Sequence, residues 1–439
     1  MAFPDLAIWM NGQRVGVWFW SRTGTPGLRY DESWVRSPNA RALSVSMPLP
    51  AAGGAVMGPQ VEHYFDNLLP DSTRIRERLR RRFRTPSTRA ADLLAAIGRD
   101  CVGAVQLLPE GETPGQHDRI DCEPLSLGQV EALLADVHDE AANPGTPWAD
   151  FRISIAGAQE KTALLRIGDR WHLPHGATPT THILKLPLGL VGNVRAEMTD
   201  SVENEWLCHL LLGELGLEVA GAEMVVFGRQ KALVVERFDR RWVDSGRWIA
   251  RLPQEDFCQA TGTPGELKYE SDGGPGIRTC LALLSAGNRA EADRLRFVLA
   301  QLAFWLLAAT DGHGKNFSLF LERGGGYRLT PLYDVLSAWP IIGDGPSQVS
   351  PRRAKLSMAL RGRNAHDHLH EIQTRHFEAL ALQSGVPGAF DRMVGLVLQV
   401  PEALERAQAQ LPAGFPPRVL TAIRRGMLAQ AGKFVDGLA

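Results

Sequence analysis

One stretch of the chain, from residue 297 to residue 321, most constrains its fold. A long apolar run, Phe297–Ala309, is followed by the polar hexapeptide Asp311–Asn316 and then by a second apolar run, Phe317–Leu321. The first run is interrupted by Gln301 and is shorter than the roughly 20 residues that crossing a bilayer requires. The pattern therefore predicts a buried helix, a polar loop and a buried strand, with no membrane partner.

The polar loop contains the groups that phosphoryl transfer needs. Four residues separate Asp311 from Asn316, and Asp334 follows the next apolar run. In kinases one carboxylate accepts the proton of the acceptor hydroxyl, while an amide and a second carboxylate hold Mg²⁺ on the phosphates. His313 and Lys315 add a donor and a positive charge where charge develops. The alternative is a polar capping loop with an unrelated aspartate, since Asp, Asn and Gly also form turns.

Composition limits the other possibilities. A chain of 439 residues is expected to form two or three domains. A net charge of -1 argues against strong binding to DNA or to an anionic membrane by the chain alone. The five cysteines are scattered, which is typical of reduced thiols in the cytoplasm rather than of disulfides or a zinc site.

Composition also changes along the chain, which suggests three domains. Residues 1–145 combine short strands with helices, and 146–238 is a β-rich segment that we expect to bind nucleotide. Residues 239–439 are mostly helical and contain the polar loop. The stretch Ala142–Pro147 is rich in Asn, Pro and Gly and is the best candidate for a linker.

Several local signals lie in the first of these segments. Asn11–Gly12 between two apolar runs predicts a hairpin, and the alternating residues Leu43–Met47 predict a half-buried strand. A helix is expected from about Thr73, and Arg74–Arg89 contains eight arginines with one acid, Glu77. This basic helix is either a solvated face or a patch for nucleic acid or an acidic partner.

A glycine loop and a lysine in an apolar strand suggest a nucleotide site. The loop between two predicted strands can direct backbone N–H groups at phosphates, although it is not a Walker A loop, because Glu160 replaces the required glycine. The alternative is an ordinary hairpin. Lys185 lies in an apolar strand, where burying an ammonium without a partner is costly. In the first interpretation Lys185 pairs with phosphate oxygens and with a glutamate, Glu203 or preferably Glu205. In the alternative it lies on an edge strand and faces solvent.

A charged segment, Glu236–Phe238, follows a later strand. A strand that leaves a small lobe is where adenine usually meets the backbone, although a plain charged turn is the alternative. Beyond this segment we expect mainly helices. Before it, Ser201 is expected to cap a helix.

Seven motifs together resemble the HipA family, the toxins of bacterial HipBA toxin–antitoxin modules. The motifs are Phe65–Asp71, Ile153–Leu165, Thr180–Pro187, Val235–Trp242, Leu252–Asp256, Lys268–Ile277 and Ala309–Ser318. The similarity extends over nearly the whole chain. It implies an α/β (α+β), bilobal protein-kinase-like fold with an N-terminal accessory subdomain and a largely helical C-terminal lobe.

The resemblance also implies an activity. HipA proteins use ATP and Mg²⁺ to phosphorylate a serine of glutamyl-tRNA synthetase, which stalls translation and promotes persistence. They phosphorylate themselves on a serine before the glycine loop, which inactivates them. The antitoxin HipB, a helix-turn-helix protein, binds HipA and represses the operon with it.

Carried over to this sequence, the resemblance assigns roles to individual residues. Asp311 becomes the catalytic base, Asn316 and Asp334 become Mg²⁺ ligands, and Ser154 becomes the autophosphorylation site. The residues assigned to nucleotide binding are Ala156, Gly157, Ala158, Gln159, Glu160, Lys161, Lys185, Glu236, Arg237, Phe238, His313, Gly314, Lys315, Asn316, Tyr333 and Asp334.

The sequence departs from the family in one region. Some members touch operator DNA through basic side chains of a C-terminal helix, but Phe377–Phe390 contains no Lys or Arg. DNA is therefore expected to be bound mainly through the antitoxin. Two other functions fit the same residues: a small-molecule kinase of the aminoglycoside type, and a DNA-bound co-repressor with a vestigial kinase site.

Overall fold

The computed structural model describes residues 4–50, 54–138, 154, 156–157, 159–192 and 194–439. The chain divides into two compact units. The first comprises Met1–Leu186, Val225–Leu267 and Ser318–Tyr327, and the second comprises Pro187–Met224, Lys268–Phe317 and Arg328–Ala439. The expected linker, Ala142–Pro147, lies outside the described residues, and the division into three domains at residues 145 and 238 remains a prediction.

The first unit begins with an antiparallel sheet. Its strands are β1 Leu6–Met10, β2 Gln13–Trp20, β3 Pro26–Tyr30, β4 Ala55–Met57 and β5 Val105–Pro109. They are ordered β4-β3-β2-β1-β5. Asn11 and Gly12 join β1 to β2 with φ angles of 46° and 76°, as a two-residue turn with both φ angles positive requires. The predicted hairpin is confirmed.

Helices cover this sheet. They are α1 Glu32–Val35, α2 Pro59–Asp66, α3 Thr73–Phe83 and α4 Ala90–Ile97. The Trp18 ring of the sheet stacks on the Phe65 ring of α2 with a centroid separation of 4.2 Å, and both side chains are buried. The predicted start of α3 is confirmed, because Ser72 caps it by accepting a hydrogen bond from the Ile75 N–H.

The predicted strand Leu43–Met47 is wrong. The segment forms a turn in which the Met47 N–H donates to the Ser44 carbonyl at 3.0 Å. The Ser46 hydroxyl donates to the carbonyl of Gln259 at 2.8 Å. Serine hydroxyls compete for backbone hydrogen bonds in this way, so the alternation of serines with apolar residues produced a turn.

A second sheet has six strands, lies mainly in the first unit, and contains three of the residues expected to bind nucleotide: Lys161, Lys185 and Glu236. Its strands are β6 Cys122–Leu125, β7 Lys161–Ile167, β8 Arg170–Pro174, β9 His182–Lys185, β12 Ala222–Phe227 and β13 Gln230–Glu236. They are ordered β12-β13-β9-β7-β8-β6. Helix α5, Leu127–His138, contributes Val130 and Leu134 to the core beneath this sheet.

Shorter elements follow, all of them in the first unit except Arg328 and Leu329 of β18. Strands β14 Arg240–Val243 and β15 Trp248–Arg251 form a hairpin. Strands β16 Gln254–Asp256, β17 Ser318–Leu321 and β18 Tyr327–Leu329 form a three-stranded sheet, and helix α7 is Phe257–Thr261. Strand β17 confirms the strand predicted after the polar loop.

The second unit is mainly helical. Its helices are α6 Ser201–Glu214, α8 Ile277–Ser285, α9 Ala290–Leu307, α10 Thr374–Ser384, α11 Ala389–Leu398, α12 Val400–Ala409 and α13 Pro417–Asp436. Two hairpins accompany them, β10 Gly189–Val191 with β11 Ala196–Met198, and β19 Lys355–Arg361 with β20 Ala365–His368. In the described ranges, no helix has both the length and the hydrophobicity to cross a bilayer. The mixed α/β class predicted from the sequence is confirmed.

One local prediction in this unit, the cap of α6, needs correction. Asp200, not Ser201, occupies the N-cap of α6, because the Ser201 hydroxyl accepts the Leu188 N–H at 2.9 Å. The segment Phe377–Phe390 is divided between α10 and α11, since Gly385 and Gly388 have left-handed φ angles of 64° and 69°.

Candidate active site

Helix α9 delivers the polar loop, as the sequence predicts. The helix ends at Leu307, and Ala308 then turns the chain with a φ of 50°. Gly312 is required because Phe304 packs closely against it, not because of its backbone conformation. A Cβ atom placed on it would lie 2.5 Å from the buried ring of Phe304. The loop is therefore packed directly against the helix that leads into it.

Asp311 is the accessible acid of this loop. Its side chain is 63% exposed and lies 3.8 Å from the Nε2 atom of His313, measured from Oδ2. The Tyr269 hydroxyl donates a hydrogen bond of 2.6 Å to its Oδ1 atom, and the Tyr269 and His313 rings meet edge to face at 5.0 Å. A carboxylate that is both oriented and accessible can accept the proton of an incoming hydroxyl.

Asn316 joins Asp311 to Asp334. Its Nδ2 atom donates to the carbonyl of Asp311 at 2.9 Å and to the carbonyl of Asp334 at 3.3 Å. Asp334 has a left-handed φ of 59°, a conformation that Asp tolerates better than most residues. The Tyr333 hydroxyl donates to the carbonyl of Lys315 at 2.7 Å. Asn316 thus ties the backbone of Asp311 to that of Asp334, while the roles of the two carboxylates stay predictions.

The remaining residues of the loop are buried. His313 and Lys315 belong to the buried polar residues of the second unit. The Gly314 N–H donates to the carbonyl of Lys268 at 3.3 Å, so the segment that carries Tyr269 is tied to the loop at two points. This rigid support fixes the backbone around Asp311.

The residues present suit a magnesium ion held partly by phosphates. Both donor bonds of Asn316 involve its nitrogen, so its amide oxygen is the atom that can act as a hard ligand. In the described part of the chain, no group of three or more His, Cys, Asp or Glu side chains could hold a metal ion. Magnesium usually takes one or two protein carboxylates and completes its shell with phosphate oxygens and water, so the amide and one carboxylate are compatible with it.

Glu205 and Glu203 lie on α6 in the second unit. Both are buried, and the Glu205 Oε1 atom lies 3.8 Å from Nε2 of His209, one turn further along. Lys185 belongs to the first unit, and its pairing with either glutamate stays a prediction.

The glycine loop leads into β7 of the first unit. Gly157 has a φ of 111°, and a Cβ atom there would lie 2.5 Å from the Lys161 Nζ atom. The ammonium is therefore folded back over the loop backbone, and the glycine leaves room for it. The Asp71 N–H donates to the Gly157 carbonyl at 3.1 Å. Ala158 lies outside the described residues, as do 152, 153 and 155 of the strand expected before the loop.

Gln159 and Glu160 attach the loop to its surroundings. The Gln159 Nε2 atom donates to the Leu186 carbonyl at 2.6 Å, and the Leu186 N–H donates to the Glu160 carbonyl at 3.2 Å. The Glu160 carboxylate accepts a hydrogen bond of 2.8 Å from Arg78 of helix α3.

Lys185 lies in the middle of the six-stranded sheet. Its strand, β9, is flanked by β7 and β13, and Lys185 pairs across them with Lys161 and Leu233. The side chain is 6% exposed. The alternative of a solvent-facing lysine on an edge strand is therefore wrong.

Ser154 is buried in the first unit. Its hydroxyl donates to the Leu68 carbonyl at 2.8 Å, and its N–H donates to the Asp100 carbonyl at 3.0 Å. The hydroxyl is therefore buried and already engaged as a donor, and the phosphorylation of Ser154 stays a prediction.

The segment Glu236–Phe238 consists of residues in three different environments. Glu236 is exposed at the end of β13, and the Phe238 ring meets the Phe320 ring edge to face at 5.7 Å. Arg237 is buried, and its N–H donates to the Thr181 carbonyl at 2.9 Å. The Arg237 backbone donor and side chain are therefore engaged inside the protein.

Arg237 belongs to a buried ionic network that the sequence did not indicate. Asp100 lies 3.3 Å from Arg237, 3.0 Å from Arg240 and 3.2 Å from Arg251, and Asp239 pairs with two of these arginines. Burial raises the pKa of Asp100, but the three guanidinium groups outweigh it and hold that pKa below its ordinary value. The network joins the chain before the glycine loop to the strands after it.

Comparisons with known proteins agree with this architecture. Residues 6–108 match the model of the HipA N-terminal domain, and residues 153–407 match the HipA-like C-terminal domain. Y4mE of Sinorhizobium fredii, named as a kinase, is 33% identical over 92% of each chain. The serine/threonine-protein kinase toxin HipA of Shewanella oneidensis is 30% identical over 71% of this chain and 70% of its own.

A solved structure shows the same fold. It is described as the HipA, HipB and operator DNA complex of the toxin–antitoxin system of Shewanella oneidensis. The matched chain superposes with a TM-score of 0.80 at 24% identity, over 98% of this chain and 97% of its own.

Proposed function

The chain belongs to the HipA family, and we propose that it is a toxin kinase that transfers the γ-phosphoryl group of ATP to a serine of a protein. The observation that carries this proposal is the arrangement of the polar loop. Asp311 is accessible, and Asn316 ties the backbone of Asp311 to that of Asp334.

In the proposed reaction Asp311 accepts the proton of the acceptor hydroxyl. The hydroxyl oxygen forms a bond to the γ-phosphorus as the bond to the ADP oxygen breaks, and the proton passes to Oδ2 or Oδ1 of Asp311. Tyr269 orients the carboxylate through its hydrogen bond to Oδ1. His313 and Lys315 place a donor and a positive charge in the same loop.

Asn316 and Asp334 are the proposed magnesium ligands. When bound, Mg²⁺ neutralises charge on the phosphate oxygens. The two donor bonds of the Asn316 nitrogen keep its amide oriented before any ligand arrives, which lowers the cost of assembling the site.

The first unit is proposed to supply the nucleotide contacts. They are the loop Ala156–Lys161, the buried Lys185 and the segment Glu236–Phe238. Since the Arg237 N–H and side chain are engaged elsewhere, adenine contacts are expected from Glu236 or Phe238. Glu205 is the proposed partner of Lys185, and the three domains 1–145, 146–238 and 239–439 remain the proposed organisation.

The proposed biological role is that of a cytoplasmic toxin held by an antitoxin. The matched relatives include a kinase toxin, and the matched structure contains HipB and operator DNA. We infer a HipB-type antitoxin as partner, operator DNA bound mainly through it, and glutamyl-tRNA synthetase as the substrate whose phosphorylation stalls translation. Autophosphorylation of Ser154 is proposed to inactivate the kinase.

One experiment tests this function. The purified chain is incubated with γ-labelled ATP, magnesium and a cell extract, and labelled proteins are identified by mass spectrometry. Label on a glutamyl-tRNA synthetase serine and on Ser154 is the expected result. Label on an aminoglycoside or sugar instead would favour a small-molecule kinase, and ATP binding without any transfer would favour a co-repressor.

A further inference from the structure

The basic helix α3 has two kinds of arginine. Arg74 and Arg81 are exposed, as a solvated face requires. Arg76 and Arg78 are largely covered, with 16% of each side chain exposed. The covered arginines do not form an open basic patch, so their partners indicate what the helix does.

Arg76 fixes the connector between α2 and α3. Its Nη1 atom donates to Oδ1 of Asp66 at 2.6 Å, and its Nε atom donates to the carbonyl of Pro70 at 2.6 Å. Pro70 in turn pairs with Gly157 in a parallel bridge, and the Asp71 N–H donates to the Gly157 carbonyl. The connector is thus attached to the backbone of the glycine loop.

Arg78 reaches the same loop through its side chain. Its Nη1 atom donates to Oε1 of Glu160 at 2.8 Å, and its Nη2 atom donates to Oε2. The Glu160 side chain is 20% exposed. A bidentate guanidinium–carboxylate pair fixes both the distance and the relative orientation of the two side chains, which an ammonium group cannot do.

We propose that Arg78 is a positioning residue for the nucleotide, acting through Glu160. This inference rests on the proposed ATP-dependent function of the glycine loop. Glu160 directly precedes Lys161, whose ammonium lies over Gly157. Arg78 binds both oxygens of the Glu160 carboxylate and so neutralises a charge that would otherwise repel the ATP phosphates.

The proposal has a quantitative consequence for ATP binding. Arg78→Ala leaves the Glu160 charge uncompensated, so the Kd for ATP is expected to rise about tenfold, with kcat at saturating ATP nearly unchanged. Glu160→Gln removes the negative charge that Arg78 compensates. It is therefore expected to raise the Kd for ATP by about threefold at most.

The test is a double-mutant cycle on the full chain, with ATP binding measured by calorimetry. If Arg78 acts through Glu160, adding Arg78→Ala to Glu160→Gln causes no further loss of affinity. Arg81→Ala, an exposed arginine of the same helix, is the matched control and is expected to bind ATP like the wild type. An equal loss from Arg78→Ala in both backgrounds, or no loss in either, overturns the proposal.

The measurements separate this inference from the proposed function. If the wild type neither binds ATP nor transfers phosphate, the function fails. If the wild type binds and transfers while Arg78→Ala does so equally well, only the positioning role fails. Should Arg78→Ala not fold, Arg78→Lys takes its place in the cycle, because an ammonium cannot hold both oxygens of Glu160. A loss of ATP affinity in the wild-type background that disappears in Glu160→Gln supports the role, and an equal loss in both backgrounds or none in either overturns it.

Discussion

Replacing Glu255 by Gln is expected to remove a large pH dependence of stability. Glu255 of β16 is fully buried, and its Oε1 atom accepts the Val45 N–H at 2.8 Å. Its Oε2 atom has no hydrogen-bond partner within the residues described. Burial, despite hydrogen bonds from Ser44 and Val45, raises the pKa of Glu255 from 4.5 to about 8.

The magnitude follows from this pKa. Folded protein keeps the proton of Glu255 up to about pH 8, whereas unfolded protein releases it near pH 4.5. The contribution of Glu255 to the free energy of unfolding is therefore highest below pH 4.5 and falls as the pH rises to 8. At about 1.4 kcal/mol per pH unit, the loss amounts to about 5 kcal/mol.

Urea unfolding from pH 5 to pH 9 measures this effect. Glu255→Gln keeps the acceptor for the Val45 N–H and cannot ionise, so its free energy of unfolding is expected to exceed that of the wild type by several kcal/mol at pH 9, and to approach it at pH 5. Glu62→Gln, on the exposed face of α2, is the control. Parallel pH curves for wild type and Glu255→Gln would refute the reasoning.

Three further substitutions test other parts of the structure. Asp100→Asn leaves three buried arginines poorly compensated, so it is expected to lower the free energy of unfolding in urea by about 3–5 kcal/mol. As a control, Asp118→Asn breaks an exposed pair with Arg247 and is expected to cost less than about 1 kcal/mol. Gly312→Ala forces a methyl group against Phe304 and is expected to cost about 1–3 kcal/mol, measured in the same way. Tyr269→Phe removes the hydrogen bond to Asp311 and is expected to lower kcat about tenfold without changing the KM for ATP in steady-state assays.

Sequence patterns predicted the features that depend on neighbouring residues. The Asn11–Gly12 turn, the start of α3 at Thr73 and the buried helix α9 each follow from residues a few positions apart. The polar loop was also predicted, because one short segment and Asp334 contain its acids and its amide. These features need no knowledge of how distant segments pack.

Side-chain pairs between distant segments could not be predicted in this way. Tyr269 meets Asp311 across 42 positions, Arg78 meets Glu160 across 82, and Asp100 meets Arg240 across 140. Such pairs depend on which strands and helices become neighbours, and local periodicity contains no information about that. Tyr269 had one signal, its place in the Lys268–Ile277 motif.

Phosphate transfer by Asp311→Asn decides whether Asp311 acts as the catalytic base. The substitution keeps the shape of the side chain and removes the proposed base. If Asp311 is the base, the initial rate of protein labelling with γ-labelled ATP, magnesium and the same extract falls by at least about 100-fold relative to wild type, while ATP still binds. Labelling by Asp311→Asn at the wild-type rate would contradict that role.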